Sequence, residues 1–183
     1  MIDGIYEFTF RPIAKKGKAS VVFFGALAIA AVLVIASVIS PLYKGLISLA
    51  AVALMCASLY IFQRYLSGEY AYVVAYGSEE EPIFIVTKTV GKRVTTLGNF
   101  YLADIISVDK EGKGERSAHK TAAGVIKYNY NPSLMPDTTY RLTLKSRWIS
   151  AEIVLEGSDE FASRLREYAS IARAHRAKDE EEE

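Results

Sequence analysis

The sequence is poor in the residues that build disulfides, metal sites and strongly charged surfaces. Its single cysteine cannot form an intrachain disulfide, and no set of cysteines and histidines has the spacing of a zinc site. The 22 Lys and Arg residues nearly balance the 21 Asp and Glu residues, for a net charge of +1. This balance removes any global electrostatic argument for nucleic-acid binding. Because about half of the chain is apolar, disorder and a collagen-like fibre are also excluded.

Catalytic motifs are scarce as well. The chain has no G-x-S-x-G, no Walker loop and no G-x-G-x-x-G. Residues Ser117–Lys120 match S-x-x-K, but the partner motifs S-D-N and K-T-G are missing, so a chance match is favoured. The acidic runs Glu79–Glu81 and Glu180–Glu183 are contiguous, and neighbouring carboxylates repel one another and stay hydrated. The sequence therefore predicts a protein that is not an enzyme and that binds no cofactor or metal.

Charge is nearly absent from residues 19–63, where Lys44 is the one charged side chain in 45 positions. Two uncharged runs, Val21–Ser40 and Gly45–Gln63, are 20 and 19 residues long and are separated by a short turn. About 20 apolar residues in a helix cross the ~30 Å hydrocarbon layer of a bilayer. The sequence therefore predicts an antiparallel transmembrane hairpin over residues 19–66.

Two alternatives to the transmembrane hairpin are weaker. A helical hairpin in a soluble core would show a polar face on each helix, and neither run has one. A cleaved signal peptide would have an apolar region of 7–15 residues, whereas the first run is longer and a second run follows at once. Basic residues concentrate before the first span, at Arg11, Lys15, Lys16 and Lys18, so both termini are expected to be cytoplasmic in a two-pass protein of the inner (plasma) membrane.

Small side chains in the two runs suggest how the helices pack. Ala26 with Ala30, and Ala53 with Ala57, are spaced i, i+4, which allows close helix approach within the hairpin or between copies. Cys56 is expected to be a small, packed apolar side chain.

The remainder of the chain predicts an α+β domain at residues 67–178, followed by an acidic tail at 179–183. Apolar and polar residues alternate in seven segments. In the last two predicted strands one face is polar, including Thr139 and Arg141, and this face is expected to be exposed to solvent. A C-terminal amphipathic helix follows, N-capped by Ser158. The predicted strands are 69–76, 83–90, 93–97, 101–109, 125–130, 139–145 and 149–155.

The segment 1–18 before the first span is expected to be cytoplasmic and contains a further strand-like pattern. Tyr6, Phe8 and Phe10 alternate with polar residues, and Pro12 ends the run. Since this segment and the α+β domain are expected on the same side of the membrane, it could add an edge strand to the domain's sheet.

The order of these elements resembles that of bacterial membrane proteins in which a short transmembrane hairpin carries a pleckstrin-homology-like (PH-like) domain. The resemblance covers roughly residues 69–174 and rests on the element order and on the stretch IFIVTKTVGKRVTTLGNFYLADIISVD. It implies a PH-like antiparallel β-barrel of about seven strands, closed by the C-terminal helix, and it implies no catalytic residues. Many eukaryotic PH domains bind phosphoinositides through basic residues in the first loop. The corresponding loop here contains Glu79–Glu81, so that role is not transferred.

The expected function is therefore to present the cytoplasmic domain for protein–protein or self-association, with the lipid bilayer, an unidentified protein or a second copy as partners and no nucleic acid. One alternative is a sensor of anionic lipid that uses the loop Lys110–Lys120. Another is an accessory subunit of a transporter or membrane enzyme. Tyr128, Tyr130 and Tyr140 could share a sheet face, either as a surface for partners or as part of the ordinary core of the domain. The candidate contact residues are Lys110, Lys113, Arg116, Lys120 and Trp148.

Overall fold

The computed structural model describes residues 6–39, 43–76, 81–111, 125–146 and 150–182. Its contacts divide the chain into two units: a hairpin unit of residues 14–68 and 133–135, and an α+β unit of the remaining residues. The helices are α1 (Lys16–Ile39), α2 (Lys44–Ile61), which continues as a π-helical turn (Phe62–Leu66), and α3 (Asp159–Glu182). The strands are β1 (Tyr6–Phe10), β2 (Glu69–Tyr76), β3 (Pro82–Val90), β4 (Arg93–Tyr101), β5 (Ile105–Glu111), β6 (Ile126–Asn129), β7 (Thr139–Lys145) and β8 (Ser150–Glu156).

The hairpin unit contains two helices that are long and apolar enough to cross a membrane, Lys16–Ile39 and Lys44–Leu66. Only 11% of the most apolar stretch of each helix is buried within the protein. A helix of a soluble core would bury its apolar stripe. Here side chains such as Val38 and Leu46 are instead more than 70% exposed.

Helices α1 and α2 bury small side chains. The buried residues are Ala19, Ala30 and Ser37 on α1, and Ala51 and Ser58 on α2; the pairs Ala30 with Ser37 and Ala51 with Ser58 are each spaced by seven residues. Both serine hydroxyl groups donate a hydrogen bond to a carbonyl of their own helix, at 2.7 and 2.8 Å. The buried hydroxyls are therefore satisfied without a partner on the facing helix.

The two alanine pairs differ in burial within the hairpin. Ala30 is buried and Ala26 is half-buried, whereas Ala53 and Ala57 are exposed, so for the second pair contact between copies stays a prediction. Cys56 is exposed as well, rather than packed. Alanine is frequent in both helices, and the i, i+4 spacing does not identify which alanines face the neighbouring helix.

The α+β unit contains two four-stranded sheets. Sheet A has the antiparallel order β1-β2-β3-β4, and sheet B has the order β5-β7-β8-β6, in which β6 is parallel to β8. Among the described residues, strand pairing does not join the sheets into the closed barrel that the sequence predicts. The chain leaves β4 through a 3-10 turn, Leu102–Asp104, and the next strand pairs only with β7. The α+β class is confirmed, with eight strands in two open sheets.

The predicted edge strand before the first apolar helix is confirmed. Strand β1 pairs antiparallel with β2, and Phe10 lies opposite Tyr72. The Phe10 ring is 4.7 Å from the ring of Phe161 at the start of α3, and the Phe8 ring is 6.3 Å from it. The N-terminal strand is therefore held by aromatic packing as well as by backbone hydrogen bonds.

A single large core joins the two sheets and α3. Its members include Tyr72, Phe84, Leu142, Ile153 and Phe161, all at most 2% exposed. The backbone N–H of Phe161 donates to Ser158 Oγ at 3.1 Å, so the predicted N-cap is confirmed. Helix α3 continues through the acidic run that the sequence assigns to a tail.

The polar face of β7 and β8 differs from its prediction. Thr139 is fully buried and Arg141 is 8% exposed, so this part of the polar face is buried instead of exposed to solvent. Arg141 Nη2 donates to Glu111 Oε1, and Thr139 Oγ1 donates to Glu111 Oε2 at 3.4 Å. Alternation along a strand distinguishes its two faces but does not show whether the polar face is covered, and a covered charge requires a partner.

Candidate interaction site on an exposed edge strand

One of the five predicted contact residues lies in the described part of the chain. Lys110 Nζ is 2.7 and 3.0 Å from the two carboxylate oxygens of Asp159, so its charge is already paired. The other four, Lys113, Arg116, Lys120 and Trp148, lie outside the described residues.

Asp159 connects the start of α3 to β5 and β7. Tyr140 Oη donates to Asp159 Oδ1 at 2.5 Å, beside the Lys110 ammonium group. Burial, followed by this hydrogen bond, raises the pKa of Tyr140 to about 12. Hydrogen bonds from Lys110 and Tyr140 lower the pKa of Asp159. Both pKa shifts keep the Tyr140 phenol neutral and the Asp159 carboxylate charged at neutral pH. The pair is therefore a structural link between α3 and the strands and is not set up to transfer a proton.

Of the two alternatives for the tyrosines of sheet B, core packing is confirmed. Tyr128, Tyr130 and Tyr140 do share one face of sheet B, but it is the face that packs into the core. The Tyr128 and Tyr130 rings stack at 5.9 Å, and Phe100 of β4 lies 6.0 and 6.4 Å from them. Tyr128 and Tyr130 therefore pack against the core-facing side of β4 and do not form a surface for a partner.

Strand β4 is the most exposed strand of the α+β unit. It lies at the outer edge of sheet A, and every residue from Arg93 to Leu97 is exposed. Val94 is 66% exposed, Leu97 36% and Tyr101 43%. On its outer side the backbone of β4 has no strand partner among the described residues. Such an edge presents a row of N–H and C=O groups that a further strand can pair with.

The middle of β4 is fixed by the tyrosines beneath it. Tyr130 Oη donates to the carbonyl oxygen of Leu97 at 3.1 Å, where the register of β3 and β4 shifts. A Cβ atom at Gly98 would lie 2.6 Å from the Phe100 ring and 2.8 Å from Tyr130 Oη. Only glycine allows this close approach, so the shape of the exposed edge depends on it.

The C-terminal end of β4 is fixed by an arginine of α3. Arg176 Nη1 is 2.7 Å from Asp104 Oδ1, and its Nε and Nη2 lie 3.3 and 3.4 Å from the Glu81 carboxylate. Its guanidinium carbon lies 5.9 Å from the centre of the Tyr101 ring. Burial opposes the charge of Arg176, but hydrogen bonds to Asp104 and Glu81 outweigh it and raise the arginine pKa. β4 is therefore held in position before any partner arrives.

The other three edge strands are short or covered. β1 has five residues and is followed by Pro12, and β6 has four residues. On β5, the Nε and Nη2 atoms of Arg166 donate to the carbonyl of Val108 at 2.8 and 2.6 Å, which occupies the edge. Short strands, proline and covering side chains are the usual means of protecting an edge. The nine-residue β4 is the longest of the four described edge strands and has no proline along Val94–Tyr101; of its carbonyls, that of Leu97 is occupied by Tyr130.

A groove of about 460 Å³ lies between β5 and α3. It is lined by Ile106, Ser107, Arg166, Ser170 and Arg173, among others. Because Arg166 is already bound to the β5 backbone, the groove offers a partner less free backbone than β4 does. The described residues contain no group of three or more His, Cys, Asp or Glu side chains that could hold a metal ion.

The sequence gives no signal that distinguishes β4 from an inner strand. Its predicted range, 93–97, ends four residues early because Gly98 and Asn99 have low β propensity. Edge position is a property of the whole sheet and follows only from the strand order. Comparisons with protein-family models, curated proteins and solved structures find no match to this chain.

Proposed function

We propose that this protein is a two-span membrane protein that displays its α+β unit in the cytoplasm and self-associates through β4. The observation that carries the proposal is the exposed, nine-residue edge of β4, which is the longest of the four edge strands among the described residues. The role is one of binding and assembly rather than catalysis.

The membrane part of the proposal is supported by the apolar surface of the hairpin helices. Exposed apolar patches beyond a few hundred Å² are rare on soluble monomers and mark interfaces with membranes or proteins. The basic residues that precede α1 favour a cytoplasmic location for both termini, in the inner (plasma) membrane.

The PH-like resemblance remains part of the proposal. It is supported by the order of seven strands followed by a C-terminal helix that packs on both sheets. The open sheets and the parallel pairing of β6 with β8 depart from the closed antiparallel barrel that the resemblance implies. PH-like architecture would in any case describe the scaffold rather than its partner.

A second copy is the occupant that best fits β4. A strand that pairs antiparallel with itself forms a two-fold contact in which both copies use the same residues. A register centred on Leu97 would place Arg93, the only charge on β4, opposite the partner's Tyr101 instead of its own equivalent. Two hairpins in one membrane also confine their α+β units to a thin layer, which raises their effective concentration.

Cysteine crosslinking in membranes tests this proposal. In a Cys56→Ser background, Leu97→Cys is expected to give a crosslinked dimer with a short bis-maleimide, because the two-fold axis would bring both copies of residue 97 together. Ile106→Cys on β5, 48% exposed in the wild type, is the matched control and is expected to stay monomeric. The readout is the dimer band on a denaturing gel.

A second variant separates edge pairing from chance collision. Thr96→Pro removes a backbone donor from the exposed edge, because the alternation of pairs from the Val90–Arg93 turn places the N–H of Thr96 on the outer side of β4. Leu97→Cys should crosslink in the parent chain and lose most of its dimer band when Thr96→Pro is added. Equal crosslinking of residues 97 and 106, or of residue 97 with and without the proline, would contradict self-association through β4.

A further inference from the structure

The two segments that connect sheet A to the helices α1 and α2 leave the sheet at the same end. β1 ends at Phe10, which lies opposite Tyr72, and β2 begins at Glu69. Two residues separate Glu69 from the end of the π-helical turn at Leu66, and five separate Phe10 from the start of α1. At 3.3–3.6 Å per residue, these links span at most about 10 and 20 Å, whatever the arrangement of the two units.

The turn between β3 and β4 lies at this end as well. Thr89 is paired with Glu69, and Val90 is paired with Arg93 across a two-residue turn. Gly91 has φ +60°, the left-handed region that favours glycine in such a tight hairpin. Because paired strands lie about 5 Å apart, the turn is within roughly 20 Å of Leu66.

The turn combines exposed apolar and basic side chains. Val90 is 45% and Val94 66% exposed. Lys92 and Arg93 are exposed, and in the described part of the chain neither has an ion pair or a hydrogen bond from its side chain. Apolar side chains flanked by lysine or arginine are typical of segments that lie in the interface of an anionic membrane.

The charges of sheet A are distributed along its length. Lys88, whose ammonium group lies 5.5 Å from the Tyr70 ring centre, adds a third basic residue near the turn. Glu69 is the only acidic residue on the strands at this end, whereas Glu81 and Asp104 flank the opposite ends of β3 and β4. An anionic surface would therefore attract the turn end of the sheet more than its far end.

We propose that the β3–β4 turn, through Val90, Lys92, Arg93 and Val94, binds the anionic headgroups of the leaflet in which the hairpin is embedded. The inference rests on the membrane-spanning hairpin of the proposed function. The valines enter the headgroup region while the two cations lie beside lipid phosphates. Each basic residue near an anionic leaflet contributes about 1 kcal/mol, or about fivefold in the population of the bound state. In an antiparallel β4 pair the turns of the two copies lie at opposite ends, so this contact belongs to the unpaired copy and competes with pairing.

Spin-label accessibility in nanodiscs tests this contact on the full-length chain. The label is placed at Val90→Cys in a Cys56→Ser background, with one copy per disc. Discs contain phosphatidylcholine alone or equal parts of phosphatidylcholine and phosphatidylglycerol. The phosphatidylglycerol discs are expected to reduce the accessibility of the label to a water-soluble nickel chelate by about fivefold. Adding Lys92→Glu and Arg93→Glu is expected to abolish the reduction.

Two control labels separate failure of this inference from failure of its premise. Tyr76→Cys lies at the opposite end of β2, about 24 Å away, and should stay accessible in both discs. Leu49→Cys on α2, 71% exposed in the wild type, should be protected from the chelate in both discs. Accessible label at residue 49 would overturn the membrane-spanning hairpin and this inference together. Protected label at residue 49 with equally accessible label at residue 90 in both discs would overturn the turn contact alone.

Discussion

Replacing Arg141 by methionine is expected to lower the free energy of unfolding by about 3–5 kcal/mol. The guanidinium of Arg141 is paired with Glu111, and both side chains are at most 10% exposed. The substitution leaves the Glu111 carboxylate buried without its counter-charge, and an uncompensated buried charge costs far more than a lost surface ion pair. Chemical unfolding of the full-length protein in detergent, followed by circular dichroism, measures the loss.

Two further variants show whether the buried charge is the cause. The double variant Arg141→Met with Glu111→Leu is expected to recover most of the loss, because replacing both partners of a buried pair by apolar groups is often neutral. Arg173→Met, at an exposed position of α3, is expected to change stability by less than about 0.5 kcal/mol. A loss for Arg141→Met no larger than that of Arg173→Met would contradict this account of the polar face.

Replacing Phe161 by alanine is expected to cost about 3–5 kcal/mol and to release β1. The Phe161 ring is 2% exposed and lies 4.7 Å from Phe10, 5.5 Å from Tyr72 and 6.3 Å from Phe8. It therefore connects the N-terminal strand, the centre of sheet A and the first turn of α3. Its loss removes the closest ring contact of Phe10 and leaves β1 with the contacts of Phe8 to Tyr168 and Arg164 on this helix.

Limited chymotrypsin digestion separates release of β1 from general loss of stability. In Phe161→Ala, cleavage after Phe10 is expected to precede cleavage within the rest of the α+β unit, because Phe10 is the last residue of β1. Phe161→Leu, which keeps most of the volume, is expected to cost less than about 1.5 kcal/mol and to protect the bond after Phe10. Equal protection of this bond in Phe161→Ala and in Phe161→Leu would show that Phe161 does not anchor the strand.

Strands and caps were the most predictable features because they are encoded locally. Apolar alternation located each of the seven predicted strands, and the sequence Ser158-Asp159-Glu160 located the N-cap of α3. β1 was predictable for the same reason, since Phe8 and Phe10 alternate with polar residues before Pro12. Features that depend on two or three neighbouring residues can be found without knowledge of the fold.

Features that depend on tertiary neighbours were not predictable. The polar face around Arg141 has the same alternation whether it is wet or covered, so its burial required the structure. Among the described residues the two sheets stay open, and β6 pairs in parallel with the outer side of β8. No local sequence pattern predicts this pairing. The exposed edge at Val94–Tyr101 follows from strand order alone. The sequence therefore indicates contacts mainly in the charged loop Lys110–Lys120, whereas strand order indicates the edge strand β4.

The central claim is that the hairpin lies in a bilayer, and Cys56 tests it in the unmodified protein. Cys56 is the only cysteine, lies near the middle of the helix Lys44–Leu66, and is exposed on the protein surface. Packing within the chain therefore cannot shield the Cys56 thiol from a water-soluble reagent, whereas a bilayer would. The measurement is its reaction with a membrane-impermeant maleimide in membranes open on both sides, and then after denaturation in detergent. We expect no reaction in the membranes and complete reaction after denaturation. Rapid reaction of Cys56 in the open membranes, before denaturation, would contradict the location of the hairpin in a bilayer.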